Sequence, residues 1–352
     1  MTLSAPSSPM DSPNPAPVST ESPVSTGHLP PTERVANLVR EAYARFQTND
    51  EGENAQHYPA LAQVPRHLFG ISLTGVEGDI FSAGDAGFPF TIMSVAKPFV
   101  FALVCEELGI AEARAQIGVN ATGFPFNSVV AIELHREGKT NPMVNAGAIA
   151  TTSLVPGDTV EAKWGFIQEG LSRFAGRELR LNDAVLASAS ATNHRNQALA
   201  RILEGYDRLG FDPAATVDLY TRQSSLNVTA ADLAAMAATL ANGGVNPLTR
   251  ERVVDAAVCP PVLAVMATAG LYETSGEWLY DIGLPGKSGV GGGILTVAPG
   301  KGGMGTFAPP LDAAGNSVKG QLAARFLSEQ LGLNLFASQP AANTRGDAQG
   351  AE

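Results

Sequence analysis

TIMSVAKPF, residues 91–99, is an apolar segment in which a serine, Ser94, and a lysine, Lys97, stand three positions apart. The preceding FPFTIM is extended in pattern, and a helix is expected to begin at about Ser94. On a helix, residues three apart share a face, so hydroxyl and amine meet within the first turn. A serine is a weak nucleophile until a neighbouring base takes its proton. A lysine serves as that base only when neutral, and burial together with the positive end of a helix pushes it toward that state. Pro98 fits the first turn, where backbone N–H groups have no intrahelical partner to lose.

Alone, SxxK occurs by chance on the order of once in a chain of this length, and a helix-capping serine beside an unrelated surface lysine is the alternative. The later segment GLPGKSGVGGGILTVAP changes the balance. Serine–lysine hydrolases of the β-lactamase and penicillin-binding class pair SxxK with a KTG or KSG triad on a later strand. Here Lys287-Ser288-Gly289 stands immediately before a predicted strand. A phosphate-binding loop would need glycine where Asp281 stands, so that reading fails. The glycine run lets backbone N–H groups approach a substrate closely, as an oxyanion hole requires.

Outward from these motifs the periodicity sorts the chain. RVANLVREAYARFQ (34–47) predicts an amphipathic helix through Val35, Leu38, Val39, Ala42 and Phe46. LFGISLTG and DIFSAGDA read as strands joined at Glu77-Gly78. From Ser94 to about Gly243 the pattern is mainly helical; Thr229 with Asp232 predicts a capping box and Gly243 a stop. WLYDIGL, GILTVAP and MGTFAPP are then expected as strands, with GKGG as the turn between the last two, and SVKGQLAARFLSEQLG as a closing helix. Strands from both ends around a helical insertion predict an α+β fold: an antiparallel sheet flanked by helices with an inserted helical lobe. The expected organisation is a disordered extension at 1–31, a domain at 32–337 and a disordered tail at 338–352. Within the domain a sheet lobe comprises about 32–93 and 265–337, and a helical lobe about 94–264.

Composition narrows the function. The chain has 352 residues, 44% hydrophobic and 16% charged, as in a folded globular protein. A net charge of −11 argues against nucleic acid, whose binding needs a basic surface. Cys105 and Cys259 form no disulfide framework and suggest a reducing compartment. The five histidines show no metal-ligand spacing, so neither metal nor cofactor is expected. The longest apolar run, VFALVC (100–105), is too short to span a bilayer, and no secretory pattern is seen at the N-terminus. A cytoplasmic enzyme with a small-molecule substrate, and no membrane partner, is the expectation.

In order along the chain, FGISLTGVEGDIFSAGDAGFPFTIMSVAKPF, FPFNSVVAIE, NPMVNAGAI, HRN, VDLYTRQSSLNVTAADLAAMAATLANGG and GLPGKSGVGGGI resemble the serine-dependent glutaminase family, over about residues 33–336. The resemblance implies a β-lactamase/transpeptidase-like fold, homo-oligomerisation, and hydrolysis of L-glutamine to L-glutamate and ammonia through an acyl-serine. It implies Ser94 as nucleophile, Lys97 as base, and Tyr272 as a proton-shuttling partner. The N–H groups of Ser94 and Val290 would form the oxyanion hole. Asn145, Asn196, Tyr220, Tyr272 and Val290 would line the substrate site.

Three positions depart from the family's pattern. The family's glutamate seven residues before the HRN asparagine, which would bind the substrate's α-ammonium, is Ala189. Its usual glutamine before the nucleophile is Met93, and an early tyrosine is His57, next to Tyr58. These departures raise hydrolysis of a different small amide as the alternative. An inert binding protein on the same scaffold is a further one, against which the set Ser94, Lys97, Tyr272 and Val290 stands.

Overall fold

A computed structural model describes residues 27–56 and 58–338. The expectations of disorder for residues 1–26 and 339–352, and the departure at His57, lie outside the described residues. Leu29, ahead of the first helix, already packs on the core.

The strands are β1 (Gly70–Gly75), β2 (Ile80–Gly84), β3 (Phe90–Thr91), β4 (Asn227–Val228), β5 (Gly286–Ser288), β6 (Gly293–Ala298) and β7 (Gly302–Phe307). Five of them form one antiparallel sheet in the order β2-β1-β7-β6-β5, so the N-terminal hairpin pairs with the C-terminal strands through β1 and β7. Alternation sets its two faces. Ile71, Leu73, Ile294, Ala298 and Met304 pack with Val35, Leu38, Val39 and Ala42 of the Thr32–Phe46 helix and with the Val318–Leu331 helix. Leu295, Val297 and Phe307 belong to the other core, shared with the helical lobe.

That second face is built for close approach. The helix Ala230–Ala241 is buried almost throughout and lies directly on β7. A Cβ on Gly303 would stand 2.2 Å from the Ala238 backbone nitrogen, and one on Gly305 2.1 Å from the Ala230 oxygen. Only an alanine-rich helix over glycines in the strand reaches this distance. The helix begins in the predicted capping box: Asp232 N donates to Thr229 Oγ1 at 3.1 Å, and Thr229 N to Asp232 Oδ2 at 2.7 Å. Arg177 Nε donates to Asp232 Oδ1 at 2.7 Å and holds the cap from outside. Thr229→Ala is expected to lower stability by about 1 kcal/mol, read as a smaller denaturation midpoint with unchanged slope in urea.

Two expectations are corrected. WLYDIGL is not a strand: Ser275–Ile282 is a helix, with Trp278 and Ile282 buried four residues apart while Tyr280 is 89% exposed. Gly283 ends it in the left-handed conformation at φ 70°. An apolar run of this length fits either period, and burial at i and i+4 decides it. Lys287-Ser288 precedes the expected strand, β6, but is not a loop before it: the two residues form a strand themselves, as β5 pairs with β6 at the sheet edge. The other elements fall where the periodicity puts them, including the β1–β2 hairpin and the closing helix capped by Ser317.

Candidate active site

β3 pairs with β4, and Ile92 N donates to Leu226 O at 2.9 Å, which sets the chain entering Ser94 beside the Pro213–Ser224 helix. A 3₁₀ turn, Met93–Ala96, then runs directly into the helix Lys97–Leu108, with Pro98 in its first turn as expected. Met93 carries a left-handed backbone, φ 49°. Such a conformation in a non-glycine residue costs on the order of 1–3 kcal/mol and persists only where the surroundings impose it. Tyr272, in the 3₁₀ turn Tyr272–Thr274, is the second such residue in the site, at φ 54°.

Lys97 is only 2% exposed. It donates to Asn145 Oδ1 at 2.8 Å and to Met143 O at 3.2 Å, both neutral acceptors. With no carboxylate among these partners, burial dominates and brings its pKa down from 10.5 to about 7. Tyr220 also donates to Asn145 Oδ1, at 3.2 Å. From there a one-way chain of amides continues. Asn145 Nδ2 donates to Asn196 Oδ1 at 3.0 Å, Asn196 Nδ2 to Asn193 Oδ1 at 2.6 Å, and Asn193 Nδ2 to Thr221 Oγ1 at 2.6 Å. It ends where Thr221 Oγ1 donates to Val217 O at 2.7 Å. Each amide is satisfied in one orientation only, so the chain locks the carbonyl that faces the lysine.

The Ser94 hydroxyl lies close enough to the phenols of Tyr220 and Tyr272 to lower the pKa of each, while Tyr272 OH donates to Ser288 O at 3.4 Å. Burial pushes Tyr272 up to about 12, against the smaller opposing influence of the Ser94 and Ser288 hydroxyls, so the phenol stays protonated at neutral pH. Lys287 Nζ sits 4.5 Å from the Tyr272 ring centre and donates to Gly270 O at 2.8 Å and Ser288 O at 2.7 Å. Burial and then the charge of Lys97 hold Lys287 well below its ordinary value. Phe126 packs on the other side, its ring centre 4.6 Å from that of Tyr272.

The loop between β5 and β6 lies against this turn. A Cβ on Gly289 would be 3.0 Å from Ile92 O, and one on Gly291 2.7 Å from Thr91 O. Glycine is therefore what allows Val290 to stand beside Ser94. Among the described residues neither the Ser94 nor the Val290 N–H donates to a backbone acceptor, which leaves two donors for a ligand.

The cleft over Ser94 encloses ≈ 490 Å³ of free space including its mouth, lined among others by Tyr58, Met93, Asn145, Ala189, Asn196, Tyr220 and Val290. All the residues anticipated from sequence that fall among the described residues are thus gathered here or, as Lys97 and Tyr272, directly behind it. Met93 and Ala189, two of the departures, are in its wall, and Met93 packs with Leu61, Val185 and Leu311. Asn193, Thr221 and the Met143 carbonyl were missed. Asn193 is one helical turn before Asn196 and Thr221 adjoins Tyr220, but a neutral polar residue carries no signal until its helix is docked. Among the described residues no group of three His, Cys, Asp or Glu could hold a metal ion, and no single helix is long and apolar enough to cross a membrane.

A family model described as Glutaminase matches residues 52–336. The chain is 65% identical over 317 residues to Glutaminase 2 of Yersinia pestis, covering 90% of this chain and 93% of that one. It is 50% identical over 288 residues to a glutaminase of Brucella canis, covering 82% and 91%. Among solved structures, a probable glutaminase, ybaS, superposes with a TM-score of 0.86 at 44% identity, covering 88% of this chain and 100% of that one. A probable glutaminase from Bacillus subtilis, complexed with 6-diazo-5-oxo-L-norleucine, gives 0.76 at 30% identity, covering 87% and 97%. The α+β architecture is that of these structures, with the antiparallel sheet and inserted helices of the β-lactamase-like fold. Matches of this extent run through both halves of the sheet and every segment that builds the cleft, and the chain belongs to the glutaminase family.

Proposed function

We propose that this glutaminase cleaves the side-chain amide of L-glutamine to L-glutamate and ammonia through an ester on Ser94, with Lys97 as the base. The observation that carries the reading is a buried lysine, with a pKa of about 7, anchored by neutral acceptors in the first turn after Ser94.

In the first half-reaction Lys97 takes the Ser94 proton as Oγ attacks the amide carbon, and negative charge develops on the amide oxygen. The Ser94 and Val290 N–H groups receive that oxygen. The Tyr272 phenol, beside Ser94, gives its proton to the departing nitrogen and is reprotonated at the expense of Lys97, and ammonia leaves. Water then attacks the γ-glutamyl ester, with the same groups acting in reverse. Once protonated, Lys97 is held by Asn145 Oδ1 and Met143 O, so the charge is hydrogen-bonded although it is buried. Asn145, Asn196 and Tyr220 line the cleft, and 6-diazo-5-oxo-L-norleucine in the Bacillus subtilis relative supports a substrate of this size and shape. The division into sheet and helical lobes belongs to the same proposal, with the cleft lying where they meet. So does a cytoplasmic homo-oligomer, supported by the two buried free thiols Cys105 and Cys259 and by the family resemblance.

The test is release of ammonia and glutamate from millimolar L-glutamine by the purified protein, compared with Tyr272→Phe. That variant keeps the ring against Phe126 and loses only the hydroxyl with its bond to Ser288 O, and kcat is expected to fall about 10²-fold with only a small fall in melting temperature. Full activity in Tyr272→Phe would remove the phenol from the proton path.

A further inference from the structure

The cleft that the proposed function fills with a zwitterion offers no carboxylate to the zwitterion's positive end. Its lining among the described residues consists of aliphatic, thioether, aromatic, hydroxyl and amide side chains, with no Asp or Glu. Three carboxylates on the elements that build the cleft have partners outside its lining. Glu273 accepts from Phe126 N at 3.1 Å, Asp218 pairs with Arg222 at 2.7 Å, and Asp212 caps its own helix at Ala215 N.

The fixed dipoles point the same way. Asn145 is the first residue of the helix Asn145–Ser153, Asn196 the third of His194–Gly205, and Lys97 the first of Lys97–Leu108. Three helices thus present their positive ends toward the cleft. Such a field favours a carboxylate and the reacting oxyanion and disfavours an ammonium. On the wall, Ala189 and Met93 present methyl and thioether groups, with Val185 buried behind them.

We propose that the cleft selects γ-amides whose α-carbon bears no charged nitrogen, the desamino and N-acylated forms of glutamine, over L-glutamine itself, and that Ala189 is a specificity-determining position. This rests on the glutaminase reading of the same site. A carboxylate facing the ammonium would favour L-glutamine by about ten- to a hundredfold, the usual worth of a charge-assisted hydrogen bond; without one, that preference disappears.

The experiment compares kcat/KM of the purified protein for L-glutamine, 4-carbamoylbutanoate and N-acetyl-L-glutamine, with glutarate and L-glutamate as inhibitors. The expected result is kcat/KM for at least one of the two uncharged-nitrogen amides equal to or above that for L-glutamine, and a lower inhibition constant for glutarate than for L-glutamate. A preference for L-glutamine of tenfold or more over both overturns the proposal. Release from none of the three amides overturns the glutaminase reading beneath it, so the two failures are told apart. Ala189→Glu is expected to raise kcat/KM for L-glutamine about tenfold through KM while lowering it for N-acetyl-L-glutamine. An unchanged ratio in folded Ala189→Glu removes the role of that position. The comparison of substrates on the unaltered protein holds even if that variant does not fold.

Discussion

Ser94→Ala is expected to lower kcat for amide hydrolysis by at least about 10⁴-fold, the scale at which loss of a nucleophile leaves only binding and oxyanion stabilisation. The substitution removes one oxygen from a half-buried position and leaves the 3₁₀ turn, Lys97 and the amide chain in place. Folding is therefore expected to be unaffected, and the phenols of Tyr220 and Tyr272 lose one polar neighbour each. Acid quenching during turnover, followed by mass spectrometry, is expected to show an acyl adduct on the Ser94 peptide of the unaltered protein and none in the variant. Turnover within tenfold of the unaltered protein would assign the nucleophile elsewhere.

The second large effect belongs to Lys97. Lys97→Met is expected to cost about 10³- to 10⁴-fold in kcat/KM, the upper range for removing a general base. Lys97→Arg is expected to do no better, because a guanidinium stays protonated at every working pH. In the unaltered protein kcat/KM is expected to rise with pH through about 7, since only the neutral amine accepts the serine proton and its pKa is brought down to about 7. A profile flat from pH 6 to 8.5 would exclude this lysine as the titrating base.

The same shift makes a stability statement of opposite sense. Lys97 has a lower pKa folded than unfolded, so between about 7 and 10.5 the unfolded chain binds the extra proton. Its contribution to stability is therefore most favourable above pH 10.5, is lost as pH falls toward 7, and is least favourable below that. Lys97→Met removes the penalty while leaving Asn145 Oδ1 and Met143 O without that donor. The balance at pH 6 is expected to raise the melting temperature by roughly 2–6 °C. A melting temperature below that of the unaltered protein at pH 6 would mean that the lysine holds the site together rather than straining it.

Much of this site is legible before folding because its chemistry is local. Ser94 and Lys97 stand one turn apart where a 3₁₀ turn runs into a helix, and the Thr229–Asp232 cap closes over three residues; both follow from spacing alone. The segment from Trp278 to Ile282 was not legible, because five apolar-rich residues satisfy a strand or a helix equally until one face is buried. Asn193 and Thr221 were hidden for a different reason. They are polar residues on two separate helices, and their role exists only when those helices pack and Asn193 Nδ2 reaches Thr221 Oγ1.

The pairing of a hydroxyl with an amine at Ser94 and Lys97, the glycine-rich KSG segment, and the α+β order of elements belong to the amino-acid sequence itself, since each rests on periodicity, capping or backbone freedom within a few residues. Tertiary packing added the surroundings on which the proposed reactivity and selectivity of the pair rest. It buries Lys97 against carbonyls rather than carboxylates, turns Met93 and Tyr272 into the left-handed region, and brings three helix N-termini onto one cleft whose wall at Ala189 carries no charge. Dielectric and field depend on everything within several ångströms in space, and neighbours in space are what the order of residues along a chain does not list.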